Sequence, residues 1–331
     1  MGKTFIIAEA GANHNRSFDQ ALSLIDVAKE SGATAVKFQT YSAETLYARN
    51  TPDFAGYKNI NKLIKDIELP RGWQKDLKNY CDGQGIEFMS TPFDERAVQE
   101  LVDLGVKRLK ISGFESTDPR FVELVASTGL PIVMSVGIGF KLSYLRSFLE
   151  IFEKHHNHVT LLHCNNAYPT PMEDVNLQRM RGLAAYKGVD AVGLSDHTTS
   201  TLTPSWAVVF GAKVIEKHFT ISRKLRGPDH PFALEPDELK AMIDTVNLSE
   251  LVINDKKSDF TKSEKPFHKA MRSVVSKKAL KKGEVLTAEN ITTKRPFLCD
   301  SIPAADYFKV LGREVAQDVR GDCILNKDHI K

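Results

Sequence analysis

The stretch AVGLSDHTTSTLTPSWAVVFGAKVIEKHF, residues 191–219, holds two short apolar runs, AVGLSDH (191–197) and VIEKHF (214–219), with a helical pattern between them. Continuous apolar runs of this length, bounded by turn residues, suit strands buried on both faces, as in a parallel sheet. The same unit recurs toward the N-terminus as FIIAEAG (5–11), AVKFQT (35–40), IEFMSTPF (86–93), RLKISG (108–113), PIVMSVG (131–137) and VTLLHCN (159–165). Eight such runs alternating with helical patterns over about 250 residues is the arithmetic of an α/β (β/α)8 TIM barrel. A doubly wound open sheet is the alternative, but no GxGxxG follows the first run.

Local punctuation agrees with this frame. Ser17 and Gln20 have the spacing of a capping box opening a helix that runs to Ser31-Gly32, and Pro236 opens another with Glu235 as its cap. The long interval between Thr40 and Ile86 leaves an extra loop, Tyr41–Leu69, expected over the mouth of the barrel. The polar run NDKKSDFTKSEKPFHK (254–269) reads as a linker. The expected organisation is a barrel over residues 1–254, a linker over 255–270 and a small β-rich domain over 271–331. Within that domain GEVLTAENI (283–291) and GDCILNKDHI (321–330) echo each other, which suggests pseudo-symmetry.

With 42% hydrophobic and 26% charged residues among 331, the composition is that of a soluble globular protein. No apolar run is long enough for a membrane span, and none near the N-terminus suits a signal peptide. Cys81, Cys164, Cys299 and Cys323 lie far apart with no CxxC pair, so they read as reduced thiols of a cytoplasmic protein. Residues 256–331 carry 17 Lys+Arg against 10 Asp+Glu, a net +7, which leaves about −4 on the rest of a chain whose total is +3. The basic residues are scattered without aromatic interleaving, which argues against a nucleic-acid partner.

In a barrel of this class chemistry sits at the C-terminal ends of the strands. Those ends supply Glu9, Lys37 and Gln39, Ser90 and Thr91, Lys110 and Glu115, and Ser135. Asn165 and Asn166 follow, then Ser195, Asp196 and His197, then Glu216, Lys217 and His218. A lysine inside a barrel strand is costly unless it meets an anion, so Lys37 and Lys110 beside Ser, Thr and Asn donors describe a phosphate or carboxylate pocket. His197 and His218 end consecutive strands; as a pair beside Glu216 and Asp196 they read as ligands of a divalent metal. The denser group His155, His156 and His158 ends a helix before a strand, and is expected as a solvated terminus on the opposite face.

The segments IIAEAGANHN (6–15), KFQT (37–40), MSTPFD (89–94), LLHCNNAYPTP (161–171), VGLSDHT (192–198), IEKHF (215–219) and RGPDH (226–230) resemble the sialic acid (N-acetylneuraminate, nonulosonic acid) synthase family. RSVV (272–275) and KKGEVLTAENITTKRP (281–296) resemble that family's C-terminal SAF, antifreeze-like domain. The resemblance covers essentially the whole chain in order. It implies metal-dependent condensation of phosphoenolpyruvate with an N-acyl amino-sugar aldehyde, by C–C bond formation and C–O cleavage, to give a nonulosonic acid and phosphate. The sugar would be N-acetylmannosamine or a 2,4-diacetamido-2,4,6-trideoxyhexose. By the same resemblance Lys37, Thr91, Lys110, Ser135, Asn166 and Ser195 would hold phosphoenolpyruvate, and His197 and His218 would hold Mn2+, or Mg2+ or Co2+. Glu9, Gln39, Tyr168 and Asp229 would meet the sugar, with Glu9, Glu115 and Lys110 serving the chemistry. Arg295 would reach the partner's site in a domain-swapped homodimer.

One departure is plain: sialic-type members read Lys-Ile-Gly-Ser-Gly-Glu where this chain has Lys110-Ile-Ser-Gly-Phe114-Glu115, so Gly113 stands in place of a phosphate-contacting serine. Phe114 is more like pseudaminic-type members, whereas AEAGANHN and GPDH are more like the legionaminic and sialic branches. The apolar pair Pro231-Phe232 next to Asp229 favours a 6-deoxy sugar. A class I, Schiff-base aldolase using Lys110 is the rival chemistry.

Overall fold

The computed structural model describes residues 3–54, 56–253 and 259–331. Residues 255–258 of the expected linker lie outside the described residues. The chain divides into two compact units, Met1–Ile253 and Asn254–Lys331.

In the first unit eight parallel strands form one sheet among the described residues: β1 (Phe5–Glu9), β2 (Ala35–Thr40), β3 (Glu87–Pro92), β4 (Leu109–Ile111), β5 (Ile132–Val136), β6 (Val159–Cys164), β7 (Ala191–Asp196) and β8 (Val214–His218). The order is β3-β2-β1-β8-β7-β6-β5-β4, and β3 packs against β4 to close the barrel. Pairing places Glu9 opposite both Lys37 and His218, and Ser195 opposite both Cys164 and Glu216.

Side chains alternate along each strand, and the barrel sorts them. Val36, Phe38, Leu109, Ile111, Leu161 and Ile215 turn outward into the large core shared with the helices. Ile7, Ala35, Met89, Val133, Leu162 and Val214 turn inward and form an apolar layer of their own. Two residues further along the same strands, the inward positions become Glu9, Lys37, Thr91, Ser135, Cys164 and Glu216, with Ser195 on β7. The interior is therefore apolar at its floor and charged at its upper level.

Helices close the connections. The helix Phe18–Ser31 is capped by Ser17, whose side chain accepts from the Gln20 backbone N–H, and it ends at Gly32 in the left-handed region at φ 91°. The Gln20 side chain donates to the Asn13 carbonyl instead of returning to Ser17, so the box is one-sided. The helix Pro236–Val252 has the full reciprocal box through Glu235 and Glu238. The segment after β2 carries two short helices, Ala43–Leu46 and Ile60–Ile67, around a small cluster of Tyr41, Ile60 and Ile64. His155 caps the helix Leu142–Lys154 and pairs with Glu123, and His156 and His158 beside it are exposed.

In the second unit β9 (Ser273–Ser276) and β10 (Ile291–Lys294) pair antiparallel around a core that includes Val274, Leu286, Ile302 and Leu325. The two echoing segments close in the same way. Thr287 N–H donates to Asn290 Oδ1 and Asn326 N–H to His329 Nδ1, each a side chain three residues on. Part of the stretch expected as linker is structured: Lys265–Ala270 is a 3-10 helix, and His268 sits 4.8 Å, ring to ring, from both Phe260 and Phe297. No helix among the described residues is long and apolar enough to cross a membrane.

Candidate active site

The upper interior layer is a charge network. Lys37 Nζ lies 2.9 Å from Glu9 Oε2, donates to Thr91 Oγ1 at 2.9 Å and stands 3.7 Å from Glu216 Oε2. Lys110 Nζ donates to Ser135 Oγ at 2.7 Å and to the Ile111 carbonyl, with Glu216 Oε1 at 3.8 Å. Ser195 Oγ donates to Glu216 Oε1 at 2.9 Å, and Gln39 Nε2 to Glu9 Oε1 at 2.7 Å. Both ammonium groups are almost fully buried.

Burial raises the Glu9 carboxyl to about 7, with Lys37 opposing and Glu216 adding to the rise. Burial works against the charged form of Lys37, yet the Glu216 and Glu9 carboxylates outweigh it and hold that ammonium above its ordinary value. For Lys110 burial wins and pulls the group down, because Glu216 alone opposes it at close range. Glu216, although buried, is held below the usual carboxylate range by Lys110 and Lys37. Its Oε2 accepts no hydrogen bond. The cradle thus holds two cations around a carboxylate that only partly engages either.

Above this layer the alternation brings His197 and His218 inward. Their ring centroids are 5.4 Å apart. Burial lowers His197 to about 4 and takes His218 well below its ordinary value, so both rings are neutral, the form in which imidazole binds metals. His197 Nδ1 bonds the Asn165 carbonyl at 2.6 Å, which assigns it the proton and leaves Nε2 with its lone pair. His218 Nδ1 is buried with no hydrogen-bond partner. A divalent cation fits this pair. Among the described residues no group of three or more His, Cys, Asp or Glu is placed to hold a metal, so the two imidazoles are the candidate ligands here.

One wall beside the histidines is aromatic: Tyr168 lies 4.2 Å from His197, and Phe232 lies 5.1 Å from His218 and 5.4 Å from Tyr168 by ring centroids. Asp229 Oδ2 accepts from Ala12 N–H at 3.1 Å and stands 3.9 Å from His218 Nδ1. Gly11, at φ 50°, permits that approach, since a Cβ there would come within 2.5 Å of the carboxylate. Glu115 lies in the turn after β4, hydrogen-bonded by Ser112, and burial raises its carboxyl. Asn166 takes the Ile138 N–H on its Oδ1. Arg295 belongs to the other unit.

A protein-family model described as the NeuB family matches residues 24–258, and one for the SAF domain matches residues 271–331. The chain belongs to the NeuB family. This NeuB-family chain is 36% identical over 341 residues to the N,N'-diacetyllegionaminic acid synthase of Legionella pneumophila, covering 99% of this chain and 94% of that one. It is 34% identical over 335 residues to a pseudaminic acid synthase of Campylobacter jejuni, covering 98% and 96%. Among solved structures, the N-acetylneuraminic acid synthetase of Leptospira borgpetersenii, crystallised with citrate, superposes with a TM-score of 0.74 at 32% identity, covering 80% of this chain and 90% of that one.

Not every polar strand end of this NeuB-family barrel faces inward. Asp196, expected beside the histidines, instead pairs with Lys217 at 2.6 Å on the outward side of β7 and β8. Ser90 likewise turns outward to Thr40. Both follow from alternation, since the neighbours Ser195, Glu216 and Thr91 occupy the inward positions. The bridging place of Glu216 between the two lysines went unread for the same reason: in Glu216-Lys217-His218 the sequence offers three polar residues and does not say which two share a face.

Proposed function

We propose that this chain condenses phosphoenolpyruvate with an N-acyl amino-sugar aldehyde to form a nonulosonic acid and phosphate. The observation that carries the reading is the pair of buried lysines beneath two neutral histidines, Lys37 held by Glu9 at 2.9 Å and Lys110 left with Glu216 only at 3.8 Å. Lys37 and Lys110 suit a multiply charged anion at the bottom of the site. Thr91, Ser135, Asn166 and Ser195 supply neutral donors around it, and an arriving anion would displace the Glu216 carboxylate from its bridging place.

His197 and His218 would hold a divalent cation, Mn2+ foremost with Mg2+ or Co2+ as alternatives, which when bound supplies Lewis-acid polarisation of the sugar aldehyde. Glu9, Gln39, Tyr168 and Asp229 orient the open-chain sugar, so that the methylene carbon of phosphoenolpyruvate bonds to the aldehyde carbon and the aldehyde oxygen becomes a hydroxyl by gaining a proton. Water adds to the resulting cationic enol carbon and gives its proton to a carboxylate; Glu9 and Glu115, both raised by burial, are suited to take it. The tetrahedral phosphate then loses inorganic phosphate by C–O cleavage, leaving the α-keto acid. Arg295 completes the sugar site from the partner subunit of a domain-swapped homodimer, so Arg295→Ala should raise the KM for sugar without changing the unfolding of the barrel. Cysteines that are all free fit a cytoplasmic location.

The aromatic wall of Tyr168 and Phe232 beside Asp229 favours a 2,4-diacetamido-2,4,6-trideoxyhexose over N-acetylmannosamine, since Phe232 offers an apolar surface where a 6-hydroxyl would lose its hydrogen bonds. Burial also pulls Lys110 toward a nucleophilic amine, which is what the Schiff-base reading needs. Phosphate release from phosphoenolpyruvate with a panel of N-acyl hexosamines, run with and without borohydride, decides among these. Equimolar phosphate and keto acid without a trapped lysine is expected. Borohydride inactivation that depends on substrate would favour the aldolase, and no phosphate with any sugar would sink the condensation.

A further inference from the structure

Asp229 sits in the loop after β8, its carboxylate beside His218 and held there by the Ala12 N–H at 3.1 Å. The loop closes at its base, where Thr220 N–H donates to the Leu234 carbonyl at 2.9 Å and Leu234 N–H to that of His218 at 3.0 Å. Asp229 lies beyond that bridge. A carboxylate drawn into a largely buried place gains by swinging back to water, so something must hold the backbone that carries it. The next residue, His230, is fully buried, and both of its ring nitrogens are engaged. Nδ1 lies 2.7 Å from Thr220 Oγ1, and Nε2 lies 3.3 Å from Asn15 Oδ1. Burial lowers the imidazole below its ordinary value, so the ring is neutral. With the proton assigned to Nε2, that nitrogen donates to Asn15 and Nδ1 accepts from the Thr220 hydroxyl, which meets both contacts. The chain fits closely around the ring. Asn15 stands at φ 48°, which asparagine tolerates, and Gly227 at φ 155° would with a Cβ come within 2.8 Å of His230 Cδ2 and 3.1 Å of Asn15 Oδ1. A second tie crosses the same seam, from Asn13 Nδ2 to the Phe219 carbonyl at 2.7 Å.

We propose that His230 is a positioning residue: its ring ties the loop that carries Asp229 to the ends of both flanking strands, β8 through Thr220 and β1 through Asn15, and so fixes the Asp229 carboxylate beside His218 to receive the sugar. The proposal rests on the condensation reading above for the identity of that ligand. Fully buried, the ring does not meet a substrate and acts through its neighbour. The Ala12 N–H holds the carboxylate itself, and His230 holds the backbone one residue on, so the two contacts fix Asp229 from both of its ends. A leucine at 230 would fill the space and sever both ties, leaving the loop joined to the barrel only at its base.

Amide hydrogen exchange in the full-length protein tests the tie independently of turnover. In His230→Leu the Ala12 amide, which reports the Asp229 carboxylate, should exchange at least tenfold faster, while the Ala10 amide, bonded to the Lys37 carbonyl at 2.8 Å, should keep its protection. In turnover the KM for sugar should rise about tenfold, the scale of two neutral hydrogen bonds, with kcat at saturation within about threefold. Calorimetric affinity for phosphoenolpyruvate should stay within about twofold, because the lysine cradle is untouched. In the Asp229→Ala background, adding His230→Leu should cost nothing further in the KM for sugar. Should His230→Leu fail to fold, Asn15→Gly removes one of the two ties at a backbone angle that suits glycine, and should shift Ala12 exchange and the KM for sugar severalfold in the same direction. Wild-type protection of Ala12 in these variants, additive losses in the double variant, or a matching loss of phosphoenolpyruvate affinity would each overturn the tie. A wild-type protein that turns over no amino sugar, but whose Ala12 amide is freed by His230→Leu, would remove the condensation and leave the tie standing.

Discussion

Lys110 and Lys217 are both almost fully buried lysines on barrel strands, yet their surroundings differ in kind. Lys217, on the outward face of β8, has one carboxylate of its own, Asp196 at 2.6 Å, and further acceptors in the Thr198 carbonyl and hydroxyl. Lys110, inside the barrel, has no carboxylate nearer than 3.8 Å and shares that one with Lys37. A cation matched one-to-one and fully hydrogen-bonded is part of the scaffold. A cation that shares a loosely held carboxylate is poised for a visiting anion. Distance and sharing separate the two, although burial is the same.

Substitution of each lysine should split along that line. Lys110→Met is expected to lower phosphate release by about 10³-fold, the scale of losing a preorganised charge in a water-poor site. Its unfolding midpoint should move little, since Glu216 keeps Lys37. Lys217→Met should do the reverse: stranding Asp196 costs about 3–5 kcal/mol in denaturant unfolding, with kcat per folded molecule nearly unchanged. A stable but inactive Lys217→Met protein would erase the distinction. Chelation should abolish turnover with recovery on adding Mn2+, Co2+ or Mg2+, and full activity in excess chelator would detach the histidine pair from the chemistry.

A third buried group, His14, extends the comparison to one with no acidic partner near it. Burial, with Arg16 adding to it, lowers His14 from 6.5 to about 4. Between those values the unfolded chain binds a proton that the folded chain refuses. Stability is therefore full above about pH 6.5 and is lost as pH falls through the window, by roughly 3 kcal/mol in all. His14→Asn should flatten that slope in unfolding measured from pH 4 to 7. The smallest effect belongs to Ser195→Ala, which removes one neutral donor and should raise the KM for phosphoenolpyruvate severalfold at about 1 kcal/mol.

The strands and the two inner lysines were legible in the sequence because a lysine within an apolar run is out of place unless something charged awaits it. The two histidines were legible because consecutive parallel strands put their C-terminal ends side by side. What the chain did not reveal was which of several adjacent polar residues share a face. Asp196 and Glu216 are equivalent on paper, and only the closed barrel turns one toward the helices and the other toward the lysines. Gly113 was read as a missing hydroxyl; that it makes room for Asn166 depends on the separation between β4 and β6, a quantity no local pattern encodes. Phe260 and His268, the latter also packed on Phe297, lie within a charged stretch whose composition pointed to a tether.

The floor of Ile7, Ala35, Met89, Val133, Leu162 and Val214 closes the barrel interior below the charged layer with packed apolar side chains. On the condensation reading, phosphoenolpyruvate would enter before the sugar, and the phosphate released from it would depart after the keto acid that carries away the joined carbons. Product-inhibition patterns should reveal this queue, with inorganic phosphate competing against phosphoenolpyruvate for the empty enzyme and the keto acid failing to do so.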